Sequence, residues 1–238
     1  MTGFSADESR RYARHLVLKD LGGAGQQKLK QAKVLVVGAG GLGSPAIAYL
    51  AAAGIGSIGV IDDDEVALSN LQRQVIHRTA DIGVSKAVSA VAFASALNPE
   101  VVMVPHITRL SGENAKSLFS GYNIVLDGTD NFETRRIAAE AAAGLGLPLV
   151  SGAVSTLDGQ VTVFAPGGPQ FADLYPDAFD DSVLPSCEVV GVLGPVTGVI
   201  GTLMAMEAIK LIAGIGEPLI GRLLVYDGRG AKFSEIAY

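Results

Sequence analysis

Short runs of apolar residues recur along the first two thirds of the chain, each ending in glycines or acids and then giving way to a longer segment at helical spacing. Residues 34–37 are four consecutive apolar positions that run into Gly38, Gly40, Gly41 and Gly43, and 42–53 then reads as a helix stopped by Gly54 and Gly56. Residues 57–61 predict a second strand ending in Asp62, Asp63 and Asp64; 84–97 predicts an Ala-rich helix and 101–104 a third strand. A fourth strand at 123–126 leads through D-G-T-D-N-F into a helix from about 132 to 143, and a fifth strand lies at 147–151. Strand and helix in alternation predict an α/β fold: a Rossmann-like, mostly parallel sheet with helices on both faces.

The pattern changes at both ends. Residues 6–19 place Tyr12 and Leu16 at helical spacing, and Gly22, Gly23 and Gly25 break the chain before a short helix ending near Ala32. Residues 154–163 read as a hairpin or bent strand, and from Ala165 the pattern dissolves into a long Pro-, Gly- and Asp-rich crossover loop. Residues 189–206 carry no charge and meet the length for a membrane span. Gly191, Gly194, Pro195, Gly198 and Gly201 argue instead for a buried helix, as do Glu207 and Lys210 directly after it. Residues 222–226 and 231–238 alternate as two antiparallel strands joined through Asp227 and Gly228. The organisation expected is one domain over 1–238, with N-terminal helices to 32, a βα core over 33–151, and the crossover, core helix and last strands over 152–238.

Composition narrows the function classes. At 238 residues, 49% hydrophobic and 18% charged, the chain can bury a large core. A net charge of −6 disfavours nucleic acid and anionic membranes as partners. One cysteine leaves no intramolecular disulfide and no Cys-based zinc cage. The first eleven residues have no apolar stretch and carry acids, so no signal peptide is expected and the cytoplasm is the default location.

The order strand, glycine turn, helix makes a phosphate cradle, because glycine lets the backbone approach a phosphate and the helix N-terminus presents N–H groups to it. Asp62 stands about 20 residues beyond Gly43, where a carboxylate meets ribose hydroxyls. The Asp62–Asp63–Asp64 run also reads as a metal cluster or a polar strand end. Lys86 is a cation in a first helical turn, unfavourable there unless it faces a polyphosphate or solvent. Asp130 lies at a strand-to-helix junction and suits magnesium or a helix cap, with Thr129 and Asn131 as other caps. Asp173, Asp177, Asp180 and Asp181 have no basic residue nearby, since no Lys, Arg or His occurs between Arg136 and Lys210.

Together, G-A-G-G-L-G, D-x-D-x-V-x-x-S-N-L-x-R-Q, Lys86, T-D-N and G-P-V-T-G-V-I-G-T-L-M-A-M-E-A-I-K resemble the ThiF/MoeB/HesA family, bacterial relatives of ubiquitin-activating enzymes. The resemblance runs in one order over nearly the whole chain, including the N-terminal R-Y-A-R. It implies ATP and magnesium as cofactors, and adenylation of the C-terminal glycine carboxylate of a small ubiquitin-fold sulfur carrier ending in Gly-Gly. Pyrophosphate leaves, and a sulfur donor acts downstream. By the same resemblance Gly38, Gly40, Gly41, Gly43, Asp62, Asp64, Asn70, Arg73, Gln74, Lys86, Asp130 and Asn131 form the nucleotide site, with Asp62 on the ribose. Asn70, Arg73 and Lys86 grip the phosphates, Gln74 helps position them, and Asp130 holds magnesium. Arg14 reaches the phosphates from the partner subunit of a homodimer.

The chain departs from the family in lacking the two C-x-x-C pairs that bind structural zinc in many members, so no zinc is expected. Cys187 sits where family members carry a cysteine that links covalently to the carrier; the alternative is a lone cysteine without essential chemistry, as no cation lies near it in sequence to lower its pKa. Three rivals stand beside the main reading. A nicotinamide dehydrogenase has no use for Asn70, Arg73, Lys86 and Asp130 together, a transfer-RNA-directed member should be basic, and an inactive ubiquitin-like-binding scaffold should have lost its nucleotide ligands.

Overall fold

Four apolar residues in a row mark a strand buried on both faces, and β1 (Lys33–Val37) is the middle strand of the parallel part of the sheet. Val34 and Val36 point into one core, Leu35 and Val37 into the other. The computed structural model describes residues 3–176 and 191–238. Around β1 lie β2 (Ser57–Ile61), β3 (Val102–His106), β4 (Ile124–Asp127), β5 (Leu149–Ser155), β6 (Asp158–Phe164), β7 (Arg222–Asp227) and β8 (Lys232–Ala237). They form one eight-stranded sheet in the order β3-β2-β1-β4-β5-β6-β7-β8. From β3 to β5 the pairing is parallel, and from β5 to β8 antiparallel. The chain moves outward from β1 in both directions, so the strand order reverses between β1 and β4. Ligands of open α/β sheets bind beyond the strand ends at such a point.

The first core is covered by α3 (Gly22–Gln31), α4 (Gly43–Ala53), α5 (Lys86–Leu97) and α9 (Gly194–Ala213). The second is covered by α6 (Ala115–Phe119), α7 (Phe132–Leu145) and α8 (Phe171–Leu174). Two short helices, α1 (Ala6–Arg11) and α2 (Ala13–Leu16), precede them. Ser5 caps α1 in a reciprocal pair with Glu8.

Several expectations need correction. Gly22, Gly23 and Gly25 do not break the chain; they are the first turn of α3, and a β-carbon at Gly25 would meet the Leu21 side chain 2.5 Å away. The fifth strand and the hairpin are continuous, with β5 running on to Ser155 and turning to β6 through Thr156 at φ 50. Helix α6 carries too little periodicity over its five residues to be read from sequence. The uncharged helix does not stop at Met206 but runs to Ala213. Glu207, although buried, is satisfied by Lys210 at 2.5 Å and by the Leu219 N–H at 2.9 Å, so the helix carries it without an orphaned charge. This helix is long and apolar enough to cross a membrane, yet it lies against α4 and the sheet with Ile200, Met204, Ala205 and Ala208 in the first core.

Nor is the crossover patternless throughout. Phe171 and Tyr175 stack with Phe132 at ring distances of 5.3 and 5.4 Å, and Asp173 is not without a partner, since it accepts the Gln170 N–H at 2.7 Å. Asp177, Asp180, Asp181 and Cys187 lie outside the described residues.

Candidate active site

The glycine turn between β1 and α4 is built by exclusion of side chains. Gly38 has φ +90, which favours glycine, and a β-carbon there would sit 3.1 Å from the Gly128 carbonyl. A β-carbon at Gly43 would collide with the Gly38 carbonyl, so the turn and the first residue of α4 meet backbone to backbone. Helix α9 seals the other side: Gly194 abuts the Gln72 carbonyl, Thr197 faces Gly41, and Gly201 abuts the Leu42 carbonyl. The glycines that argued against a membrane span thus let α9 lie on the turn itself.

Asp62, at the end of β2, accepts the Ala39 N–H at 2.7 Å and the Asp64 N–H at 3.0 Å. Burial raises its pKa, while those two N–H groups and Lys86 pull it down. Lys86 is not solvent-exposed. It is buried at the start of α5 and donates to Asp64 at 2.6 Å, held there because Asp64 also accepts the Lys86 backbone N–H. The carboxylate oxygens of Asp62, Asp63 and Asp64 lie within 4.8 Å of one another. Each Asp62 oxygen accepts one N–H and keeps a second lone pair for a ligand hydroxyl, while Asp64 is paired with Lys86.

Gln74 is buried beside Gly40, and its Oε1 finds no hydrogen-bond partner among the described residues. A buried amide oxygen without a partner costs about 1–3 kcal/mol, which marks a place built for something absent from the free chain. The same loop carries Asn70 and Arg73. The Asn70 carbonyl oxygen takes the Ala67 N–H at 3.0 Å, leaving its NH₂ for a ligand, and Arg73 donates to the Ser69 carbonyl at 3.2 Å.

The D-G-T-D-N loop closes the site from β4. Asn131 caps α7 by accepting the Thr134 N–H at 2.9 Å, so the cap does not need Asp130, which is exposed. The cap takes the Asn131 carbonyl oxygen and leaves only its NH₂ for a ligand. Asp127 is fully buried, accepts from Thr129 and from Ser151 at 2.9 Å, and is ion-paired with Arg135, whose Nε lies 3.6 Å away. Arg135 also donates to the Thr129 carbonyl at 2.8 Å, and Gln160 donates to the Tyr175 hydroxyl at 2.7 Å beside it. These residues escaped the sequence reading, although an acid closing a strand directly before Gly128 was a usable signal.

The structure gathers the glycine turn, Asp62, Asp64, Asn70, Arg73, Gln74, Lys86 and the Asp130 loop around one end of the sheet. It does not bring Arg14 there. Tyr12 packs against Gly54 at the C-terminus of α4, so Arg14, two residues on and exposed, lies about 16 Å along the helix from the turn.

The glycine turn and the buried Lys86 fit the phosphates of a ligand, and the Gln74 oxygen, an acceptor, fits a hydroxyl or a water that such a ligand brings. The model of the ThiF family matches residues 12–238. The chain belongs to the ThiF family. It is 51% identical to the probable adenylyltransferase/sulfurtransferase MoeZ of Mycobacterium tuberculosis over 99% of this chain. It spans only 61% of that relative's length. A sulfur carrier protein adenylyltransferase of Thermus thermophilus is 44% identical, over 98% of this chain and 88% of its own. Among solved structures, PaaA superposes with a TM-score of 0.85 at 23% identity, covering 100% of this chain and 75% of that one, which supports the ThiF fold.

Proposed function

We propose that this chain adenylates the C-terminal glycine carboxylate of a small ubiquitin-fold sulfur carrier. The observation that carries this reading is the convergence on one glycine turn of a ribose-type carboxylate, a buried lysine, an unpartnered Gln74 oxygen and the Asp130 loop. In the reaction a carrier carboxylate oxygen attacks the α-phosphorus of ATP, the bond to the β-phosphate oxygen breaks, and pyrophosphate leaves. Negative charge grows on phosphate oxygens, so such a site needs placed cations more than a proton-transfer base. Asp62 would hold the ribose, Asn70 and Arg73 the outer phosphates, and Lys86, released from Asp64, the transferring one. Asp130 would hold the magnesium that comes with ATP and neutralises charge on the leaving group. Arg14 would serve the site of the other subunit in a homodimer, a reading in keeping with its place at the far end of α4 from its own turn. A sulfur donor would then convert the acyl-adenylate, in the cytoplasm.

The test is ATP–pyrophosphate exchange by the full chain with carriers ending in Gly-Gly. Exchange that needs both the carrier and magnesium is expected; no exchange with any such carrier sinks the reading.

A second measurement addresses the turn. Gly43→Ala must push the Gly38 carbonyl aside and is expected to weaken ATP binding at least about tenfold by titration calorimetry, given the collision described above. Gly23→Ala, where a β-carbon meets nothing within 4 Å, should bind ATP like the wild type. Equal affinities for both variants would show that the turn does not touch nucleotide.

A further inference from the structure

His77 is buried, both of its ring nitrogens are engaged, and nothing so far gives it work. Its Nε2 lies 2.9 Å from the Ala39 carbonyl oxygen, and its Nδ1 lies 2.8 Å from the Ser89 hydroxyl. Ser89 in turn lies 2.9 Å from Asp81, which accepts the Arg78 N–H. A carbonyl oxygen only accepts, so Nε2 carries a proton whichever of Asp81 and Nδ1 receives the single Ser89 hydroxyl proton. The ring therefore donates to the glycine turn, and Ser89, on α5, fixes the plane from which it does so.

That contact has a consequence one atom further along. In a trans peptide the C=O and the following N–H point in opposite directions. Pinning the Ala39 carbonyl toward His77 turns the Gly40 N–H the other way, out of the protein core. The Gly40 N–H has no hydrogen-bond partner among the described residues. On the other side of the same residue, the Ala39 N–H is pinned by Asp62. Both peptide planes flanking Ala39 are thus held, one by a carboxylate and one by an imidazole, with the Ser44 hydroxyl a long 3.5 Å from the same carbonyl. An unsupported glycine turn could rotate the Ala39–Gly40 plane freely.

We propose that His77 is a positioning residue of the nucleotide site, which holds the Gly40 N–H aimed at a phosphate oxygen. This deepens the adenylation reading and rests on its placement of ATP at the turn. One hydrogen bond aimed at an anion is worth about three- to tenfold in affinity. It acts on bound ATP and on the transition state alike, so its loss raises KM for ATP and leaves kcat nearly unchanged.

Two substitutions separate this role from plain packing. Gln at position 77 reaches as far as Nε2 and restores a donor to Ala39, whereas Asn reaches only as far as Nδ1 and keeps the contact to Ser89. His77→Asn is expected to weaken ATP–magnesium binding about three- to tenfold by titration calorimetry, with kcat for pyrophosphate exchange within about twofold of wild type. His77→Gln should bind within about twofold of wild type. ¹⁵N spectra of the histidines in the unmodified chain should show His77 carrying its proton on Nε2, a readout that does not depend on any variant folding. Equal loss in both variants, no loss in His77→Asn, or a proton found on Nδ1 alone overturns the proposal. Failure of the wild-type chain to bind ATP at all overturns the nucleotide reading first, and this inference with it.

Discussion

Asp130→Asn is expected to lower carrier-dependent ATP–pyrophosphate exchange by about 10²–10³-fold, the usual loss when one transition-state contact is removed, while leaving the melting temperature unchanged. The two halves of this expectation come from different facts. Asp130 is exposed, and among the described residues its carboxylate meets only the Asn131 amide, at a long 3.5 Å. The helix behind it is capped by Asn131, so the fold does not draw on Asp130 for that purpose. An amide of the same shape keeps whatever packing exists but no longer carries the charge that holds a metal. Exchange rates and calorimetric melting on the same preparation check it. Activity within about threefold of wild type would remove Asp130 from the chemistry, and a large fall in melting temperature would make the loss structural.

Arg135→Met should show itself in the other quantity, a large loss of stability. Asp127 is 0% exposed, and Arg135 is its cation, at 3.6 Å. Removing one partner of a buried pair leaves an uncompensated charge and costs about 3–5 kcal/mol. For a chain of this size each kcal/mol moves the melting temperature by about 2–4 °C. A fall of about 6–20 °C is therefore expected. Asp127→Asn combined with Arg135→Met should regain part of it, because the stranded charge is then gone; the one amide oxygen keeps Thr129 as its donor, and the Ser151 hydroxyl, which bonded the other carboxylate oxygen, turns to accept from the new NH₂. A single variant that melts within 2–3 °C of wild type would show that Asp127 does not depend on Arg135.

How far the sequence reached follows from how local each signal is. Val34–Gly43 and Asp62 are legible because strand, turn and carboxylate follow one another at fixed spacing, and the structure places Asp62 on the turn. Lys86 was legible as a cation in an awkward position, but its partner Asp64 was not, because that pairing needs the β2 and α5 ends to meet. The Asp127–Arg135–Tyr175 group was invisible for the same reason, since its members come from β4, α7 and the segment after α8. His77 stood in view without a role, because its acceptor lies 38 residues back on the glycine turn. The end of α9 was misplaced because sequence cannot show that Glu207 would be buried and yet satisfied.

The reversal of strand order beside β1 also governs assembly. Lys33 of β1 pairs with Ser57, but Val34 pairs on its other side with Ile124, the most distant partner in sequence among the strand pairings described. Closing a loop roughly four times longer costs only about 1 kcal/mol more in chain entropy. Gly38 faces Gly128 across it, so the pocket straddles the seam that joins the two halves of the parallel sheet. A nucleotide held from both sides would clasp that seam, adding about 2.7 kcal/mol at a hundred times its dissociation constant. The strand junction whose partners lie farthest apart in sequence is the place where its ligand would hold the sheet shut.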